Sequence, residues 1–128
     1  MPANGEAQPP IASAIVPVKD EEQNVGECLR QLLEQTYPRD RLEILIVDGM
    51  SRDATRELVR TIMASEDGPS RVRLLDNPKV QRAAGLNMGI RQAKGDILLR
   101  LDARTRISRD YVSKGVETLL RTGAANVG

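Results

Sequence analysis

Leu42-Glu43-Ile44-Leu45-Ile46-Val47-Asp48-Gly49 decides the fold. The run is apolar at nearly every position, rich in β-branched residues and too short for a helix. A turn signal, Tyr37-Pro38-Arg39-Asp40, precedes it, and Asp-Gly ends it. Such a segment reads as a strand buried on both faces, the kind found in parallel sheets covered by helices. Working outward, Ser51 or Asp53 can cap a helix with Leu58, Val59, Ile62 and Met63 as its apolar stripe. Upstream, Asp20 can cap a helix carrying Val25, Cys28, Leu29, Leu32 and Leu33, and Ala12 to Pro17 forms a strand before it. Downstream come a loop from Glu66 to Ser70, a strand over Val72–Leu75 closed by Asp76-Asn77-Pro78, and a helix over about 81–93 with Gly95 as its stop. Ile97 to Leu101 is a fourth strand ending at Asp102, and a helix from Arg109 to Arg121 turns Val112, Val116, Leu119 and Leu120 inward. Asn126-Val127 starts another element. Strand and helix alternate throughout, so the expected class is α/β, a three-layer α/β/α arrangement around a mostly parallel sheet.

Composition excludes several functions. The 128 residues suit one domain, and 19 basic against 18 acidic residues leave a net charge of +1, which gives no reason to expect nucleic acid as a partner. Two Tyr, no Phe and no Trp leave few surfaces for stacked bases. Histidine is absent, so a bound metal must rest on carboxylates, which favours Mg²⁺ or Mn²⁺ over Zn²⁺. The single cysteine, Cys28, reads as a packing residue and fits a reducing, cytoplasmic compartment. No apolar run approaches the ~20 residues needed to cross a bilayer. Residues 1–10 are polar with Pro and Gly and read as a disordered tail, leaving 11–128 as the domain.

Open parallel sheets bind ligands beyond the carboxyl ends of their strands. The residues expected there are 17–22, 48–53, 77–82 and 101–104. Asp48 and Asp102 each directly follow a long apolar strand. A carboxylate in that position can accept from a base N–H or a ribose hydroxyl, or hold a cation that neutralises a diphosphate. It can equally cap a loop or helix.

Four segments in order resemble family 2 glycosyltransferases of the GT-A (nucleotide-diphospho-sugar transferase) fold. They are Ile15-Val-Pro-Val-Lys-Asp-Glu-Glu22, Glu43-Ile-Leu-Ile-Val-Asp-Gly-Met-Ser-Arg-Asp-Ala-Thr55, Ala84-Gly-Leu-Asn-Met-Gly-Ile-Arg-Gln-Ala-Lys-Gly-Asp96 and Leu98-Leu-Arg-Leu-Asp-Ala-Arg-Thr105. Val-Asp-Gly-Met-Ser, Arg-Leu-Asp-Ala and the closing Thr-Gly-Ala-Ala-Asn-Val-Gly are most similar to the branch that builds bacterial exopolysaccharides such as succinoglycan. The resemblance implies a nucleotide-diphospho-sugar donor, UDP-linked by preference, and a glycan or lipid-linked acceptor at the inner face of a membrane in the full-length family. It implies that Pro17, Lys19 and Glu22 border the nucleotide, that Asp48 meets the base, and that Asp102 faces the ribose and a metal on the diphosphate. Asn87 belongs to the third segment; Gln81 and Arg82 lie close enough to face the phosphates.

Each of these residues also has a purely structural reading. Pro17 can end a strand, Lys19, Glu22 and Arg82 can be solvated charges, Asp53 can cap a helix, and Asn87 can bond neighbouring backbone. Gly49 and Gly89 suit close backbone approach. The chain departs from the family at Arg104, where a second acidic residue or a histidine is usual. An arginine cannot ligate a cation but can pair with a diphosphate, so metal binding is expected to be weak, with Arg104 sharing the charge neutralisation. Lys19 and Asp20 replace the usual Tyr and Asn.

The catalytic base of the family lies in its second half. Asp110 and Glu117 are placed on a helix here, so the chain reads as a truncated portion that does not transfer sugar by itself. The alternative is a non-catalytic nucleotide-binding or interaction module. A phosphoacceptor receiver domain would need a lysine after a fifth strand, and a dinucleotide-binding domain a Gly-x-Gly-x-x-Gly loop. Pro17-Val-Lys-Asp-Glu-Glu22 has no glycine.

Overall fold

A computed structural model describes residues 8–66, 71–123 and, for the backbone alone, 126–127. Its elements are β1 (Ala12–Val18), α1 (Val25–Leu33), a 3₁₀ turn at Arg39–Arg41, β2 (Leu42–Asp48), α2 (Thr55–Ser65), β3 (Val72–Asp76), α3 (Arg82–Gln92), β4 (Ile97–Arg100), α4 (Tyr111–Thr122) and β5 (Asn126–Val127). The alternation expected from the apolar runs is therefore present, and Asn126-Val127 is a strand. Most of the 1–10 segment and residues 67–70 of the expected 66–70 loop fall outside the described residues. Pro10 is inside them, and its carbonyl accepts a hydrogen bond from the Tyr37 hydroxyl.

The sheet order is β3-β2-β1-β4-β5, and all four pairings are parallel. From β1 the chain steps outward to β2 and β3, then returns to the far side of β1 for β4. The reversal lies between β1 and β4. Alternation along β1 explains the layers. Ala12, Ala14 and Val16 join Ile44 and Ile46 of β2 under α1, α2 and α4, represented by Leu29, Val59 and Val116. Ile15 turns to the opposite face with Leu45 and Val47, where Leu86 and Met88 of α3 cover them. The result is three layers, with α3 alone on the second face. Register keeps the strand ends level: Val18 pairs with Asp48, and Asp48 with Asp76.

α3 sits close to the sheet because two of its residues lack side chains. A Cβ on Gly89 would lie 2.4 Å from Ile15 Cγ2, and one on Gly85 would lie 3.0 Å from Asn77 Nδ2. Gly95 is not the stop of this helix. α3 ends at Gln92 with Ala93 in an extended conformation, and Gly95 instead lets the backbone pass against β1, where a Cβ would meet Ser13 Oγ at 2.5 Å and the Ile11 carbonyl at 2.7 Å.

One expected cap is replaced, and of two candidates for another only one meets its helix. Asn24 occupies the N-cap of α1, while Asp20 accepts from the Arg52 N–H across the loops at 2.7 Å. Ser51 turns its hydroxyl to Asp48 rather than to α2, whose first turn is met by Asp53 through the Thr55 N–H at 2.9 Å. Cys28 is buried against this core, and burial pushes its thiol up to about 12, as suits a packing residue.

Candidate functional site

The carboxyl edge of the sheet carries four loops, and the first two are laced together. The Gly49 N–H donates to the Val18 carbonyl at 2.8 Å. Lys19 Nζ donates to the Met50 carbonyl at 2.7 Å, and the Asp20 N–H donates to Ser51 Oγ at 2.8 Å. The Glu21 N–H reaches Thr55 Oγ1 at 2.8 Å, the Glu22 N–H reaches Asp53 Oδ2 at 3.1 Å, and the Glu22 carboxylate accepts from the Ala54 N–H at 3.2 Å. Three non-glycine residues take left-handed backbone here, one in each of the first three loops: Asp20 (φ 51°), Met50 (φ 64°) and Val80 (φ 67°). Such conformations cost energy for L-residues, most of all for a β-branched one, and concentrate where a site fixes its backbone. Met50 and Val80 are both 45% exposed, so burial of their side chains offsets only part of that cost.

Asp48 is completely buried. Its carboxylate accepts from the Ser51 N–H (3.0 Å), the Ser51 hydroxyl (2.5 Å) and Arg56 Nη1 (3.0 Å). Arg56 also reaches Asp76 Oδ1 at 2.6 Å, so one guanidinium on α2 neutralises the carboxylates at the ends of two adjacent strands. A buried charge needs such partners.

Asp102 differs. Its side chain is 40% exposed. Oδ1 accepts from the Arg104 N–H at 2.9 Å, and Oδ2 accepts from Arg82 Nη2 at 3.0 Å. The Arg104 amide, with help from Arg82, holds this carboxyl below the usual aspartate range against a smaller opposing effect of burial.

Beside Asp102 opens a cavity of about 660 Å³ at the β1/β4 reversal, lined by Pro17, Arg100 and Leu101, by Arg82, Ala83 and Leu86 of α3, and by Thr105 and Tyr111. A smaller one of about 210 Å³ adjoins it over β1 and β2, lined by Val18, Lys19, Glu21, Val47, Asn77 and Val80. Pro17 and Arg82 line both. α3 presents its amino end at this junction with no side-chain cap and no acidic residue in its first turn, an arrangement that favours an anion.

Of the residues singled out from sequence, Pro17, Lys19 and Asp102 come together around these cavities. Asp48 lies behind the surface, and Glu22 serves the lacing between loops. Asn87 is exposed on α3 and lines neither cavity. Arg104 directs its side chain to Glu21 at 3.2 Å and also lines neither. Asp110 pairs with Lys114 at 3.1 Å, and Glu117 with Arg121 at 3.9 Å, both along α4.

Sequence reading missed Arg56, whose spacing from Asp48 gives no hint of a contact. It also missed Gln31, which interrupts the buried face of α1, and Gln35, just past its end. Gln31 Oε1 accepts from the Ile107 N–H at 2.5 Å. Gln35 accepts from the Val112 N–H at 2.9 Å and donates to the Ser108 carbonyl at 2.7 Å, so the pair fixes the loop that carries Asp102 to Asp110.

No cluster of three His, Cys, Asp or Glu side chains suited to a metal occurs among the described residues. In the larger cavity a divalent cation would find one carboxylate among the lining residues, Asp102. Mg²⁺ sites of that kind draw their remaining ligands from phosphate oxygens and water, so the residues fit a cation only together with a phosphate donor.

The chain resembles known proteins. Residues 13–128 match the model of glycosyl transferase family 2. The glycosyltransferase AglE of Haloferax volcanii is 34% identical over 119 residues, covering 93% of this chain and 38% of that protein. The succinoglycan biosynthesis protein ExoA of Rhizobium meliloti is 35% identical over 115 residues, covering 88% of this chain and 34% of that protein. The solved structure of the mannosyltransferase PcManGT from Pyrobaculum calidifontis, in complex with GDP-Man and Mn²⁺, superposes with a TM-score of 0.80 at 32% identity, over 86% of this chain and 32% of that one. The chain thus spans about a third of the length of the proteins it matches.

Proposed function

The chain belongs to glycosyl transferase family 2, and from that premise we propose that it is the donor-binding portion of a transferase that moves sugar from a nucleotide-diphospho-sugar to a glycan or lipid-linked acceptor. One observation carries the reading. Two adjoining cavities run along the carboxyl edge, share Pro17 and Arg82, and end at Asp102. A nucleotide lies in the smaller cavity, against Lys19, Asn77 and Val80. Its diphosphate crosses the amino end of α3, and its sugar enters the larger cavity toward Leu86 and Tyr111. Asp102 would hold the Mg²⁺ or Mn²⁺ that accompanies the diphosphate, and that cation would supply charge neutralisation of the leaving group. PcManGT, solved with a nucleotide-sugar and Mn²⁺, supports this class of donor and cation.

UDP-sugars, implied by the sequence resemblance, are the first donors to test, and GDP-sugars the second because of PcManGT. Similarity to ExoA supports polysaccharide or surface-glycan synthesis as the setting, and a lipid-linked acceptor would place the work at the inner face of a membrane. Asp110 and Glu117 are engaged along α4 and line neither cavity, so neither is placed to deprotonate an acceptor hydroxyl.

Calorimetric titration with UDP and GDP, with and without Mn²⁺, tests the reading. Binding of a nucleoside diphosphate, strengthened by Mn²⁺ and weakened in Asp102→Asn, is the expected result. Absence of binding by every nucleoside diphosphate, or equal binding by Asp102→Asn, would overturn it.

A further inference from the structure

We infer that Arg82 is an exchangeable partner of Asp102, which the diphosphate must draw away before the carboxylate can take a cation, so that the two ligands bind cooperatively. This rests on the donor-binding reading above. Arg82 meets Asp102 through a single contact, Nη2 to Oδ2 at 3.0 Å, and its side chain is 64% exposed. That is a weak, solvent-screened pair, far from the buried, three-partner environment of Asp48. The other Asp102 oxygen is held by the Arg104 backbone N–H. Arg82 is thus the one side chain that occupies a carboxylate oxygen a cation would need.

Arg82 is also the residue that a bound diphosphate would meet. It lines both cavities, at the uncapped amino end of α3. Its guanidinium can leave Asp102 for phosphate oxygens without moving the backbone, and it pairs with them bidentately. The nearby Arg104 side chain is not equivalent, because it turns to Glu21 at 3.2 Å and lines neither cavity. Without a diphosphate, Arg82 competes with the cation for Asp102. With one, Arg82 sides with the phosphates and the cation takes the freed oxygen. Each ligand then raises the affinity of the other by the same factor, as linkage requires.

Mn²⁺ binding to the chain, followed by the electron paramagnetic resonance of free Mn²⁺, separates the possibilities. The titrations use wild type, Arg82→Gln and Arg82→Lys, with and without the nucleoside diphosphate that binds best. Circular dichroism checks that each variant is folded. In wild type the nucleotide should tighten Mn²⁺ by about five-fold or more. Arg82→Gln should bind Mn²⁺ alone about two- to five-fold more tightly than wild type, because an exposed pair of this strength no longer competes. The same variant should bind the diphosphate more weakly without metal, and the mutual enhancement should shrink. Arg82→Lys should fall between the two. If wild type binds diphosphate but Arg82→Gln shows unchanged or weaker Mn²⁺ binding, the exchange is wrong and the donor-site reading stands. If wild type binds no nucleoside diphosphate, both fall together.

Discussion

Arg56 reaches the fully buried carboxylate of Asp48 at 3.0 Å and has no substitute there among charged groups of the described residues. Asp48 ends β2 and anchors Ser51, whose hydroxyl in turn receives the Asp20 N–H. A residue read from sequence as a ligand contact is therefore also the support on which two loops are built. Replacing Arg56 by Met leaves that charge buried with only Ser51 to receive it. The expected loss is about 3 kcal/mol of stability, by the cost of breaking buried pairs, measured by urea denaturation. A loss under about 0.5 kcal/mol, the size of an ordinary surface change, would show that Asp48 is not dependent on Arg56.

Asp102 should stay ionised well into acid. Its folded carboxyl sits below the ordinary value because the Arg104 N–H and Arg82 both favour the charged form. A depressed carboxyl stabilises the folded state above its unfolded pKa, about 3.9, and that contribution fades as pH falls through the lower folded value. Cation-assisted nucleotide binding should therefore not change between pH 7 and 5 on account of Asp102. A carboxyl-carbon NMR titration of Asp102 with a midpoint at or above 4 would contradict this.

Cys28 should be silent toward thiol reagents. Its thiol is pushed up to about 12 by burial, partly opposed by Arg106. Iodoacetamide at pH 8 should leave the folded chain unlabelled and label it fully in urea. Because the folded state protects the protonated thiol while the unfolded chain ionises near the ordinary 9.0, this group's contribution to stability should decline as pH rises from there toward 12.

Two glycines should respond in opposite directions. In α1, a Cβ on Gly26 would meet nothing within 4 Å, so Gly26→Ala should stabilise by about 1 kcal/mol through helix propensity. In α3, Gly89→Ala would drive a methyl to 2.4 Å from Ile15, which is in the core. Overpacking of that kind costs about 1–3 kcal/mol. Melting temperatures of the pair decide it, and a gain from Gly89→Ala would show that α3 can lift off without penalty.

Val80 is a β-branched residue at φ 67° with its side chain partly exposed at the rim of the smaller cavity. Asn tolerates that region, so Val80→Asn should stabilise by about 1 kcal/mol. If the strain serves the smaller cavity, the gain in melting temperature will come with weaker nucleotide binding; unchanged binding would assign Val80 to structure alone.

The strands were legible because β1, β2 and β4 are apolar runs bounded by Pro, Asp or Gly, and α1, α2 and α4 carry most of their apolar residues at helical spacing. Leu120, expected to turn inward, and Leu58, expected in the stripe of α2, are exposed because each falls at the edge of its helix's buried face. α3 carries a weaker stripe, since Gly85 and Gly89 pack through the absence of a side chain. The edge of the sheet that holds the site was legible too, because Asp48 and Asp102 end strands. Their environments were not. Burial of Asp48 depends on Arg56 and Asp76, which meet it only once α2 and β3 are in place. The neighbours of Asp102 come from α3, 20 residues earlier, across the return of the chain past β1. Gln31 and Gln35 illustrate the same limit. Polar residues on or just past an apolar face look like defects until the loop they hold is present.

Gly89 and Arg82 share α3, seven residues apart, which is about 10 Å along its axis. One end is wedged against Ile15 in the core and the other carries the guanidinium at the junction of the cavities. The helix is therefore a rigid lever. A methyl added at its far end, out of reach of any ligand, would tilt the near end and change affinity without removing a single contacting atom. Variation in donor strength among related sequences can then arise from residues that a ligand never touches.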